Sequence, residues 1–395
     1  MKRIALVRGH HLSKEETVSF EPLNSAFDFV GVSTDDPWYD QSEITFPVVQ
    51  TGSIERWVTS INRRISRRAF GWIDKMLGTG QWMPGLGHAL RGFDLVYTSD
   101  YCHIFTYQAA LLKRRMGYKL VVMQYENIPF ARENRPWIRA MKKIIHQEAD
   151  GFVAMSERAK EALRLEGIPP DRIVVVGNSV DTNRFHPHQT EREEWRRRFG
   201  VRPEEILIMF VGRIHETKGV FELVHAAWRL FQDPAIVRSQ VRFIFIGRGR
   251  AEARLRSRIR QLGIEDRVSL VPGVPHGEIH LAHSMADIFT LPSRPTKDWQ
   301  EQFGIVLIES MASGKPVVAS ASGSIPEVVG DAGILVQSAD HQSLYQALRL
   351  LVLEPSQRLK LGLRARKRME EHFSLSAKAE SLRAVFSAIL ALPPQ

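Results

Sequence analysis

Cysteine is almost missing from this chain. Cys102 is the only one in 395 residues, which excludes an internal disulfide and a cysteine-rich zinc site. No run approaches the roughly 18 unbroken apolar residues of a membrane span. The sequence also lacks a phosphate loop ending in Gly-Lys-Ser/Thr, a nucleophile elbow, a cluster of metal ligands and the motifs of the usual nucleic-acid readers. No metal, cofactor or nucleic-acid partner is therefore expected. The opening, MKRIALVRGHH, is a short strand pattern flanked by charge and too brief for a secretory signal. A cytoplasmic setting fits these absences.

What is present is ordinary globular material: 44% hydrophobic and 25% charged residues. The length suits two domains of about 190 residues each. The net charge of +10 is unevenly placed. Residues 1–55 carry 4 Lys/Arg against 9 Asp/Glu, residues 56–75 carry 6 against 1, and residues 113–143 carry 9 against 2. Trp57, Ile61, Ile65, Trp72 and Met76 recur at helical spacing, with Arg63, Arg64, Arg67 and Arg68 on the other side. That pattern is either a solvated surface helix or an interfacial contact with an anionic bilayer through 56–76 and 113–143, on the inner face of the cell membrane.

Buried-strand runs alternate with helical patterns along the chain, among them Ile4-Ala5-Leu6-Val7, Lys119 to Met123, Ile206 to Val211 and Val241 to Ile246. This rhythm predicts an α/β protein with two Rossmann-like, doubly wound parallel sheets facing a cleft. Residues 186–205 are charged and lose periodicity, which places a boundary near 187. The expected domains are 1–187 and 188–375, with a last helix, 376–395, packing back toward the first.

One stretch organises the second half: Pro292 to Gly333, with carboxylates at Glu301 and Glu309. A polar loop leads to a helix starting near Gly304, whose first backbone N–H groups attract an anion. Upstream, Gly212-Arg213 and Lys218-Gly219 flank a strand-to-helix turn, where two cations neutralise a diphosphate without a metal. Alone, such a turn is a common surface loop. Gly247-x-Gly249 lacks the third glycine of a dinucleotide fingerprint and reads as a tight turn near a ligand. Polar residues past strand ends, at Arg8-Gly9-His10, Gln124-Tyr125-Glu126-Asn127 and Asn178, line the carboxyl edge where open α/β sheets bind ligands. His276, His280 and His283 read as a surface helix.

These pieces together resemble the retaining nucleotide-sugar glycosyltransferases of family 4, which have the two-domain GT-B fold. The resemblance rests on Phe210-Val211-Gly212-Arg213 with Lys218-Gly219, on Ile246-Gly247-Arg248-Gly249, and on Pro292-Ser293 leading to Glu301-Gln302-Phe303-Gly304 and Glu309. Ala312-x-Gly314-Lys315-Pro316 and Gly323-x-Ile325-Pro326-Glu327 extend it over about 130 residues. It implies a hexosyltransferase-type enzyme that is metal-independent. Such an enzyme moves a sugar from a UDP- or GDP-linked donor to a glycan or lipid-linked acceptor, in polysaccharide or glycolipid assembly. Arg213 and Lys218 would hold the diphosphate, Glu301 the donor sugar and Glu309 the ribose. Amides around Phe303, Gly304 and Ile305 would touch sugar and phosphate, with Pro292 and Ser293 near the base. His10, Glu126, Asn127 and Asn178 would face the acceptor, Glu126 standing where similar enzymes often carry a histidine. The alternatives are a catalytically silent nucleotide-sugar or glycan-binding relative and a peripheral membrane module.

Overall fold

Ile4-Ala5-Leu6-Val7 contains no polar residue because both faces of its strand are covered, as in parallel sheets generally. The computed structural model describes residues 1–54, 56 and 81–393. The basic helix expected over 56–76 lies, apart from Arg56, outside the described residues. The described chain divides into two units, Met1–Gly177 with Lys378–Gln395, and Asn178–Ala377.

The first unit is built on β1 (Lys2–Gly9), β2 (Phe27–Thr34), β3 (Val48–Thr51), β4 (Leu95–Ser99), β5 (Lys119–Gln124), β6 (Gly151–Ala154) and β7 (Ile173–Val175). Their order is β3-β2-β1-β4-β5-β6-β7, and every pairing is parallel. The helix Leu375–Ala391 ends the described secondary structure. Its Phe386 is fully buried within this unit, among Phe20, Phe27, Phe29 and Tyr97 at ring distances of 5.3–6.4 Å.

The basic band 113–143 is less basic at the surface than its sequence implies. Lys113 is buried against Asp150 at 2.9 Å, and Lys142 against Glu133 and Glu166 at 2.6 and 2.7 Å. These two cations neutralise internal carboxylates rather than face a bilayer. Among the described residues no helix is long and apolar enough to cross a membrane.

The second unit carries β8 (Ile206–Val211), β9 (Val241–Ile246), β10 (Val268–Val271), β11 (Ile288–Leu291), β12 (Val317–Ser320) and β13 (Ile334–Val336), in the parallel order β10-β9-β8-β11-β12-β13. Strands β8 and β11 are neighbours, so the loops after them share one carboxyl edge.

The division falls at 177/178, not at 187. Residues 178–187 belong to the second unit because they pair there: the Val180 amide donates to the Phe373 carbonyl at 2.8 Å, and Pro187 lies against Gly314. The aperiodic stretch 186–205 contains a helix, Gln189–Arg198. Its buried face is made by Trp195 and by arginines rather than by an apolar stripe. Arg192 reaches Asp287 and the carbonyls of Ser284 and Ala286, and Arg196 reaches Asp287 and Met285. A charged helix held through guanidinium–carbonyl bonds leaves no hydrophobic period to read.

Candidate active site

Loops after β8, β9 and β11 touch one another through glycines. Gly247 has φ +144°, and a Cβ there would sit 2.0 Å from the Gly212 carbonyl oxygen. Gly219 has φ +69°, and a Cβ there would lie 1.8 Å from the carbonyl of Pro292. Only glycine lets the turn carrying Lys218 rest on the end of β11.

That contact assembles a charged knot. Lys218 Nζ donates to Glu301 Oε2 at 2.6 Å, and Ser293 Oγ donates to the same oxygen at 2.6 Å. Both charged side chains are largely buried, at 15% and 9% exposure. The Trp299 ring lies 5.0 Å from the ammonium. The backbone of Glu301 is fixed as well: its carbonyl accepts from Ser324 N at 2.9 Å, and Gly323 presses so close that a Cβ there would be 1.9 Å from that oxygen. A carboxylate held at both its backbone and its side chain is positioned before any ligand arrives.

Arg213 is exposed and makes no ion pair or hydrogen bond among the described residues. Burial first, then Arg250, with Arg213 and Lys218 behind it, lowers the pKa of the nearby His215 against the opposing pull of Glu216. Arg213, Lys218 and Arg250 thus stand around this turn, with Glu216 among them. Helix Ile305–Ala312 begins at Gly304 (φ +88°), which offers no side chain to cap it. Phe303 is buried, whereas Ile305 is 49% exposed at the helix start. Pro292 and Ser293 are buried at the end of β11.

Glu309 projects from that helix, and its Oε2 lies 3.3 Å from His283 Nε2. His283 is not the surface residue expected. It is fully buried, its ring 5.3 Å from Phe289 and 6.0 Å from Phe185. Nothing in the sequence separated it from His276 and His280, because the contact spans 26 residues of chain. The second unit therefore gathers Gly212, Lys218, Gly247, Pro292, Ser293, Glu301, Phe303, Gly304, Ile305 and Glu309 at or beside one strand edge, with Arg213 on the same turn as Lys218.

The acceptor-side residues of the first unit follow β1 and β5. His10 is buried after β1, its Nδ1 2.8 Å from Thr34 Oγ1. Glu126 and Asn127 follow β5, and Glu126 Oε1 accepts from the amides of Asn127 and Ile128 at 3.0 and 3.1 Å. Asn178 opens the second unit instead. Between the first two groups, after β4, Asp100, Cys102 and His103 bring ligand-type atoms within 4.8 Å. Burial pushes the Cys102 thiol up to about 12.

Comparison with known proteins adds to this geometry. The profile of Glycosyltransferase Family 4 matches residues 47–184, and that of Glycosyl transferases group 1 matches residues 191–368. The chain is similar to the D-inositol 3-phosphate glycosyltransferase of Streptosporangium roseum, 31% identical over 297 residues, which cover 71% of this chain and 66% of that protein. The protein of that name from Kineococcus radiotolerans is 32% identical over 256 residues, covering 61% and 57%. The match thus spans 66% and 57% of the length of these two relatives. Among solved structures, Anabaena HepE in complex with UDP and glucose aligns with a TM-score of 0.76 at 17% identity, over 98% of this chain and 100% of that one. Sucrose-phosphate synthase from Thermosynechococcus elongatus aligns with a TM-score of 0.74 at 18% identity, over 99% and 100%. At these identities the likeness is one of fold: two Rossmann-like parallel-sheet domains of the GT-B type.

Proposed function

Since the chain belongs to the group 1, family 4 glycosyltransferases, we propose that it transfers a sugar from a UDP- or GDP-linked donor to an acceptor hydroxyl with retention of anomeric configuration. The observation that carries this reading is the Lys218–Glu301–Ser293 knot beside Arg213, which is unpaired among the described residues, and the uncapped helix start at Gly304. In the proposed step the bond from the anomeric carbon to the donor phosphate oxygen breaks. The acceptor oxygen bonds to that carbon on the same face, its proton passes to the departing phosphate, and the nucleoside diphosphate leaves. Negative charge develops on the diphosphate, where Arg213, Lys218 and the first amides of helix Ile305–Ala312 meet it. Glu301 orients donor-sugar hydroxyls, and Glu309, steadied by His283, takes the ribose hydroxyls. No step calls for a metal.

The test is a thermal-shift screen with UDP, GDP and ADP, since a bound ligand stabilises by mass action. Transfer is then assayed with the matching sugar donors and an acceptor panel. That panel includes neutral glycosides, lipid-linked glycans and D-inositol 3-phosphate, the compound named in the curated relatives. NMR of the product reads the anomer. Arg213→Ala with Lys218→Ala lowers kcat/KM on the order of 10³-fold or more. Near-normal turnover in that double variant rejects the reading, and stabilisation by nucleotide without any turnover assigns a silent binding protein instead.

A further inference from the structure

Trp38 is held firmly yet left open. Its amide donates to the His10 carbonyl at 3.0 Å, and its ring stacks on His10 at 5.4 Å and 13°. His11 meets it edge-on at 4.7 Å. The residue nevertheless remains 58% exposed, so the face away from His10 is open. An indole fixed by a buried histidine and a backbone bond, but left uncovered, presents a rigid apolar plane at the carboxyl edge of β1 and β2.

Beside that plane lie polar atoms without partners. Gln81 is buried; its Nε2 lies 3.1 Å from His11 Nε2, and its Oε1 has no hydrogen-bond partner among the described residues. The ring of His103 is 5.8 Å from that of His11, and its Nδ1 is likewise buried and unpartnered among the described residues. Buried polar atoms left unpaired are costly, and these two border the partly exposed His11 ring that adjoins the indole. Burial, then His10 and Arg8, lowers the pKa of His11, and burial drops that of His103 to about 3. Both rings are neutral near pH 7, and with its Nε2 engaged by Gln81, His11 keeps Nδ1 for a ligand.

Charge around this patch disfavours an anion. Arg8 is buried and paired with Glu16 at 3.2 Å, and Arg56 pairs with Asp35 at 3.1 Å. Asp36 stands 3.0 Å from His10. A phosphate here would find committed guanidiniums and nearby carboxylates.

We infer that Trp38, flanked by His11, His103 and Gln81, is the stacking platform for a neutral sugar ring of the acceptor. Sugars combine a C–H face with rim hydroxyls, which matches an open indole bordered by neutral donors and acceptors. The inference rests on the transferase reading for the word acceptor, but not for the binding site itself.

The experiment therefore reads binding before activity. Saturation-transfer NMR with octyl glucoside, octyl galactoside and octyl mannoside is run on the full chain, on Trp38→Ala and on Trp38→Phe. The expected result is ring-proton saturation for at least one glycoside. Trp38→Ala abolishes it or weakens it about tenfold, and Trp38→Phe keeps part of it, with melting temperatures unchanged. Equal saturation in Trp38→Ala, or signal confined to the octyl chain, overturns the platform. In the transfer assay, Trp38→Ala raises the acceptor KM about tenfold while acceptor-free donor hydrolysis stays within about twofold of wild type. Preference for D-inositol 3-phosphate over every neutral glycoside also overturns it. Absence of donor hydrolysis and transfer in the wild type rejects the transferase reading alone, and the NMR result still decides the platform.

Discussion

Glu301→Gln separates charge stabilisation at the site from mere bracing. In the wild type one carboxylate oxygen takes both the Lys218 ammonium and the Ser293 hydroxyl at 2.6 Å. The amide keeps the shape but not the charge, so a charge-assisted bond becomes a neutral one. That difference is about 1–2 kcal/mol for a largely buried pair, which for a domain of this size is a drop of roughly 2–8 °C in melting temperature. Lys218 is simultaneously released toward a phosphate. Isothermal titration is therefore expected to show UDP or GDP affinity kept or raised. Transfer, which also needs the carboxylate against the donor sugar, falls about 30- to 1000-fold, or roughly 2–4 kcal/mol of transition-state stabilisation. Turnover thus falls without a loss of nucleotide affinity. If nucleotide affinity and turnover fall together in step with the melting temperature, the knot is only a brace. If turnover stays within about threefold of wild type, Glu301 has no part in the chemistry.

Gly219→Ala is expected to shift the whole Lys218 turn, because its Cβ would overlap the Pro292 carbonyl at a left-handed φ. A loss of about 2–4 kcal/mol in stability and a matching loss of nucleotide affinity should follow, read by thermal and chemical unfolding with and without nucleotide. His283→Phe keeps the ring's packing but removes the partner of Glu309, so nucleotide Kd should rise about tenfold, with partial recovery in His283→Gln. Glu205 sits among Arg202, Arg242 and Arg267. Burial opposes its ionisation, but the Arg202 amide and the Arg242 and Arg267 side chains hold its pKa down to about 2. A carboxylate with a depressed folded pKa stabilises the fold above its ordinary value near 4.5 and loses that contribution as pH falls toward 2. Glu205→Gln should therefore cost about 3–5 kcal/mol at pH 7. Its melting deficit relative to wild type should shrink as pH falls below about 4.5, whereas a constant gap would contradict the pairing.

The sequence by itself determined the layered architecture and singled out the residues proposed for the donor side. Strands covered on both faces, such as Ile206 to Val211, must be continuous apolar runs, so their alternation with helical patterns is legible without coordinates. The glycines and charges at 212–219 and 301–309 were equally legible, because each motif is local and its spacing sets which turn or helix end it occupies. Tertiary structure alone decided which of these side chains meet. Lys218 and Glu301 are 83 residues apart, and His283 and Glu309 are 26 apart. The helix at 189–198 escaped notice because arginines reaching carbonyls, rather than an apolar stripe, hold it in place. The boundary fell at 177/178 because Val180 and Pro187 find their partners in the second unit. Whether an aromatic is core or platform is likewise set by what folds over it. Phe386 is enclosed by four rings, while Trp38 stacks on His10, meets His11 edge-on and stays open. Local period records what a residue's neighbours along the chain do; contacts between distant segments leave no period, and they are what turn a set of motifs into a site.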